Sequence, residues 1–237
     1  EICACLVGSE MCIRDSSKVC GRPEGQPEIR GIHPGAMSDQ KQLIGIAGGI
    51  GTGKSMVSRL LRLRGYPVYD CDTEAKRLMS TDPEVHKALE QAFGAEVIAD
   101  PRQLAEAVFG NSERLATLNG IVHPAVRTDL QRWAEKQASS LLFVESAILA
   151  SSGIGESCHA VMAVETPMEQ RIRNVQRRNG LPCQAIMDRI KAQETENKRL
   201  AELPIEHFAI HNTPARSLLS QAQTVVEYLK SNQQHSS

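Results

Sequence analysis

The stretch Gly48-Gly49-Ile50-Gly51-Thr52-Gly53-Lys54-Ser55 constrains this chain more than any other. It fits G-x-x-x-x-G-K-[ST] in full. It follows the apolar run Leu43–Gly48 and opens a pattern with apolar residues at Val57, Leu60, Leu61 and Leu63, so it joins a buried strand to a helix. Glycines let backbone N–H groups converge on a small volume with no Cβ in the way. A helix start adds donors without an intrahelical partner and the positive end of a dipole. Lys54 adds a mobile charge, and Ser55 a hydroxyl suited to Mg²⁺. Residues Gly49, Ile50, Gly51, Thr52, Gly53, Lys54, Ser55 and Met56 are therefore expected to hold the phosphates of ATP, with Ser55 reaching the metal.

Beyond the loop, apolar runs alternate with helical patterns. "YPVYD", "LLFVES", "AVMAVE" and "HFAIHN" read as further strands. Between the second and third lies a long helical stretch from Thr73 to Gln137, interrupted at Pro124, where a kink or restart is expected. "TPMEQRIRNVQRRNG" and "LPCQAIMDRIKAQETENKRLAEL" read as a helix pair broken at Gly180-Leu181-Pro182, and "RSLLSQAQTVVEYLK" as a closing helix before a disordered tail. Alternating strands and helices imply an α/β fold: a P-loop NTPase-like parallel sheet with helices on both faces. Its expected parts are a core (42–72, 140–170 and 205–230), a helical acceptor region (73–138) and a lid (about 171–198).

The first 36 residues read differently. They have no sustained period and no signal-peptide pattern. Four of the seven cysteines fall here (Cys3, Cys5, Cys12 and Cys20), at a spacing that fits no common zinc site. Met11–Ser16 can be back-translated as ATG TGT ATA AGA GAC AGC, which resembles a transposon end used in sequencing-library adapters. The segment reads as a non-native or disordered prefix, with the native start at Met37. A formal net charge of -1 over 237 residues argues against a dedicated nucleic-acid binder. No apolar run reaches the roughly 20 residues that span a bilayer. A cytoplasmic protein, monomeric or weakly homo-oligomeric, is expected.

A phosphate loop serves small-molecule kinases, guanine-nucleotide switches and motors. A guanine switch should carry Asn-Lys-x-Asp, but the only Asn-Lys continues as Arg199-Leu200. Glu145 at the end of "LLFVES" leaves a motor open. Asp70 and Asp72 close the second apolar run, at the sheet edge where ligands bind, and strand alternation would put both on one side. A carboxylate there could accept a hydroxyl proton or hold Mg²⁺ through water; alternatively, Asp72 or Thr73 caps the next helix. Arg173 and Arg177 share a helix face, with Arg171 and Arg178 nearby, which suits either a phosphate-bridging lid or a solvated charged surface.

"GGIGTGKS", "YPVYDCDTEAKRL", "VHP", "RRNG" and "IHN", in this order, resemble the dephospho-coenzyme A kinase family from Gln42 to about Lys230. The resemblance implies transfer of the γ-phosphoryl of ATP, with Mg²⁺, to the 3′-hydroxyl of dephospho-coenzyme A. It places Asp72 as general base with Asp70 beside it, and Arg173 and Arg177 as the lid arginines. It sets His123 in the acceptor region, as substrate contact or as a core histidine. It sets Asn212 near the adenine or in a turn. Ala150 and Ser151 depart from the family pattern, as does Met56. A nucleoside-type kinase and a nucleotide-dependent regulatory switch are the alternatives.

Overall fold

In the computed structural model of the chain, which describes residues 41–235, five strands form one sheet. They are β1 (Gln42–Ala47), β2 (Val68–Asp70), β3 (Leu141–Glu145), β4 (Ala160–Glu165) and β5 (Glu206–His211). All pairings are parallel, in the order β2-β3-β1-β4-β5. The expected prefix, its four cysteines and the start at Met37 lie outside the described residues.

The alternation of side chains gives the sheet two apolar faces. Along β1, Leu43 and Ala47 join one core, and Ile44 and Ile46 the other; along β3, Leu142 and Val144 oppose Leu141 and Phe143. Runs buried on both sides are what a parallel sheet requires. Helix α1 (Lys54–Leu63) covers one face with Val57 and Leu61. The opposite face is covered by α2 (Cys71–Thr81), α3 (Pro83–Phe93), α4 (Ala95–Ala99), α5 (Pro101–Val108) and α6 (Ser112–Lys136). After β4 come α7 (Met168–Asn179), α8 (Cys183–Ala192) and α9 (Glu194–Ala201). Helix α10 (Leu218–His235) completes the α1 side with Ala222, Val225, Val226 and Leu229. No helix among the described residues is long and apolar enough to cross a membrane.

Four local expectations change. Helix α6 runs unbroken through Pro124. Its buried stripe of Leu118, Val122, Val126, Leu130 and Ala134 continues at i, i+4 on both sides of the proline, so packing overrides the missing N–H. The short helix α4 was not anticipated. The single helix expected after Pro182 is two, α8 and α9, divided at Gln193. The residues Ser231–His235, expected to be disordered, continue α10.

The helical region shares one core with the sheet: Leu89, Leu118 and Val122 join the same cluster as Leu43, Tyr69 and Val144. Fully burying such a side chain contributes about 1.5–3 kcal/mol. A polar brace fixes α2 against α6. The Tyr69 hydroxyl and the Arg77 guanidinium both donate to Asp129 Oδ2, each at 2.7 Å. Burial and the Asp129 carboxylate push the Tyr69 hydroxyl up, so it stays a donor. In contrast, α7 and α8 have a small cluster of their own: Val175, Leu181, Ile186 and Ile190, with Ile50 of the glycine loop packed against it.

Candidate active site

The loop after β1 and the start of α1 form the floor of a cleft of about 970 Å³, a size that accommodates a nucleotide. Backbone conformation demands glycine at two places. Gly53 has φ 95°, and a Cβ there would lie 2.5 Å from Asn212 Nδ2; Gly51 has φ 75°, and a Cβ would meet the Arg171 carbonyl at 2.6 Å. Among the described residues, the amides of Gly51, Gly53 and Ser55 have no protein acceptor, which leaves donors for an anion at the helix start. The Ile50 amide, expected in that set, instead donates to Gln193 Oε1 at 2.7 Å. Thr52 also departs from expectation: it is buried, and its hydroxyl donates to Gly49 O, so it holds the loop together from inside. Lys54 Nζ donates to Gly48 O at 2.6 Å. Met56 is exposed at the cleft rim. Asn212 braces the loop from β5's end by donating to Thr52 O at 2.9 Å, and lines the cleft as well.

The opposite wall starts at β2. The strand ends at Asp70 and the helix begins at Cys71, so the two aspartates do not share a strand face. Asp70 is the cap, rather than Asp72 or Thr73: its Oδ1 accepts from the Asp72 and Thr73 amides, both at 3.1 Å. Asp72 thereby enters the first turn of α2, at the positive end of the dipole. Both aspartates line the cleft with the glycine loop.

Beside Asp70 in the sheet register is Glu145, the last residue of β3. Burial raises its carboxyl pKa, and the neighbouring Asp70 charge adds to the rise. Its Oε2 is buried with no hydrogen-bond partner among the described residues. Glu145, Lys76 and Arg189 line the cleft, and none was assigned to a site from sequence. Arg189, on α8, is only 7% exposed. The apolar neighbours Ile186 and Ile190 were the sole sequence sign that this arginine faces inward.

The arginines of α7 separate. Gln170, Asn174, Arg177 and Arg178 line the cleft. Arg173 does not: its side chain is 70% exposed and lies 3.9 Å from Glu169. Each helical residue turns about 100°, so Arg173 is well off the stripe centred on Asn174. Arg171 serves the loop, with Nε donating to Ile50 O at 3.0 Å.

His123 lies behind Asp72 rather than in the cleft. It shares a separate small cavity with Asp72, Cys71 and Ser146. Burial, with the Arg127 charge second, lowers its pKa to about 4, so the ring is neutral near pH 7.

This arrangement offers unpaired amides to an anion and sets carboxylates and several guanidinium groups around the same cleft, the requirements of phosphoryl transfer. The sequence model of the family described as dephospho-CoA kinase matches residues 42–212. The chain is 37% identical to a dephospho-CoA kinase of Porphyromonas gingivalis over 79% of its length and 94% of the relative's. It is 35% identical to one of Bacteroides fragilis over 78% of the chain and 92% of the relative. A crystal structure from Thermus thermophilus superimposes with TM-score 0.69 at 34% identity, covering 79% of this chain and 97% of that one.

Proposed function

The chain belongs to the dephospho-CoA kinase family, and from that premise we propose that its cleft moves the γ-phosphoryl of ATP to the 3′-hydroxyl of dephospho-CoA, giving CoA and ADP. The observation that carries the reading is the meeting of the phosphate loop with Asp72 in one cleft.

The triphosphate lies along the amides of Gly51, Gly53 and Ser55, with Lys54 neutralising its outer charge. The bond from O3′ to the γ-phosphorus forms as the bond from that phosphorus to the bridging β-oxygen breaks. The hydroxyl proton passes to the Asp72 carboxylate. Arg177, assisted by Arg178 and Arg189, offsets charge on the transferring oxygens. Arg173 reaches them only after its side chain or α7 moves. Asp70 orients Asp72 through the cap, and Asn212 holds the loop at the edge of the cleft where the base lies. His123 supports the acceptor wall as a neutral ring. Positioning and electrostatics do most of the work.

The donor set fits Mg²⁺. Among the described residues no three His, Cys, Asp or Glu side chains gather into a metal cage, and Mg²⁺ is usually held by one or two protein oxygens plus phosphate and water. The Ser55 hydroxyl and the carboxylates of Asp70 and Glu145 are the groups that would hold it, and the buried, unpartnered Glu145 Oε2 is the sign of such a need. When bound, the metal neutralises the β and γ phosphates. The described cysteines Cys71, Cys158 and Cys183 are free thiols, which suits a cytoplasmic setting.

The test is an acceptor panel with γ-labelled ATP. Label should appear on the 3′-position of dephospho-CoA; label on a nucleoside instead, or nucleotide binding with no acceptor turnover, would overturn the reading.

A further inference from the structure

The break at Gln193 brings one helical turn into contact with two loops. Gln193 Oε1 accepts from Ile50 N at 2.7 Å, on the phosphate loop. One turn further, Glu196 Oε1 accepts from Ala150 N at 2.7 Å and Glu196 Oε2 from Ser151 N at 3.1 Å, in the loop after β3. Residues three apart on a helix rise about 4.5 Å along its axis, so a single rigid turn sets the spacing of the two loops. The turn is anchored: Leu200 of α9 is buried in the main core. The second loop matters because Ser146, Ile148, Ser152 and Ile154 wall the small cavity that also holds Asp72 and His123. Approach is close at the first contact as well, since a Cβ on Gly49 would stand 2.8 Å from Gln193 Oε1.

We propose that the first turn of α9 is a strut joining the donor loop to the acceptor-side wall, with Gln193 and Glu196 as positioning residues at its two ends. It rests on the reading of Gly48–Ser55 as the nucleotide loop. Nucleotide binding fixes Ile50, and the strut passes that constraint to the amides of Ala150 and Ser151. The coupling is reciprocal: an acceptor seated against the wall tightens the nucleotide by the same factor. The turn holds the loop at the two positions that depart from the family pattern, through the amides of Ala150 and Ser151.

Hydrogen exchange of peptides spanning residues 147–153, with and without ADP, reads the strut directly. In the wild type, ADP should slow exchange there by about fivefold or more, the low end of ordinary coupling. Gln193→Met and Glu196→Met, which break opposite ends, should each abolish that response while ADP still protects residues 51–55. Glu196→Gln keeps one acceptor oxygen and should retain part of it. A wild type without the response, or an unchanged response in both methionine variants, overturns the strut. Turnover of dephospho-CoA by the wild type, measured alongside, reports on the function separately.

Discussion

A carboxylate at a helix cap and one two residues later have different freedoms. Asp70 spends one oxygen on two amides of α2; Asp72, in the first turn, borders both the cleft and the small His123 cavity. Asp72→Asn should therefore leave the ATP KM within about twofold and lower kcat by about 10²–10⁴-fold, the range for loss of a general base; steady-state kinetics checks it. Asp70→Ala should cost about 1 kcal/mol of stability for the cap, and Asp70→Asn much less. His123 makes a pH prediction. Its folded pKa of about 4 lies below the ordinary 6.5, so the unfolded chain takes up this proton first as pH falls. Stability from this group is thus intact above about pH 6.5, is drawn down as pH drops toward about 4, and changes no further below. The total is at most about 3.4 kcal/mol. Glu145, whose carboxyl is raised in the folded state, acts in the opposite sense. Comparing wild type with His123→Gln isolates the histidine: as pH falls from about 6.5 to about 4 the wild-type thermal midpoint should drop relative to that of His123→Gln, so the two converge if the variant starts lower and diverge if they start equal.

The elements divide by how much tertiary context they need. Pro124 is exposed within α6, and its ring denies the helix one hydrogen bond. Pro124→Ala should raise stability by about 1–3 kcal/mol, seen as a higher denaturant midpoint. On α7, Arg177→Ala should lower kcat by about 10²-fold or more, and Arg173→Ala by less than about threefold, because only the former lines the cleft. Strands β3 and β4 were legible because uninterrupted apolar runs leave no other burial mode. The loop was legible because its chemistry is local. The break at Gln193 was not: no Gly or Pro marks it, and its backbone stays near helical, with φ -88° and ψ -2°. Glu145 was legible as an acidic residue closing an apolar strand, but Arg189 and Gln193 entered the site through docking of distant segments, which no motif encodes. The same limit explains Arg173: four-residue spacing gives a shared face but not which neighbour that face meets.

At the scale of the molecule, binding and stability are linked. ATP at 100 times its Kd should stabilise the native state by about 2.7 kcal/mol, a rise in thermal midpoint of about 5–11 °C for a domain of this size. Gly53→Ala should abolish that rise, because its backbone sits at φ 95° with Asn212 against the vacant Cβ position. The two walls of the cleft differ in how they are fixed. The wall carrying Asp72 is continuous with the main apolar core, whereas α7 and α8 bury Val175, Leu181, Ile186 and Ile190 mainly among themselves and touch the loop through Ile50. Swinging that pair outward would leave its own interior intact, at the cost of the Ile50 contact and of the hydrogen bonds from Arg171 to Ile50 O and from Asn174 to Gly51 O. We therefore expect the acceptor wall to act as an anvil, with any travel in the catalytic cycle falling to the arginine-bearing jaw.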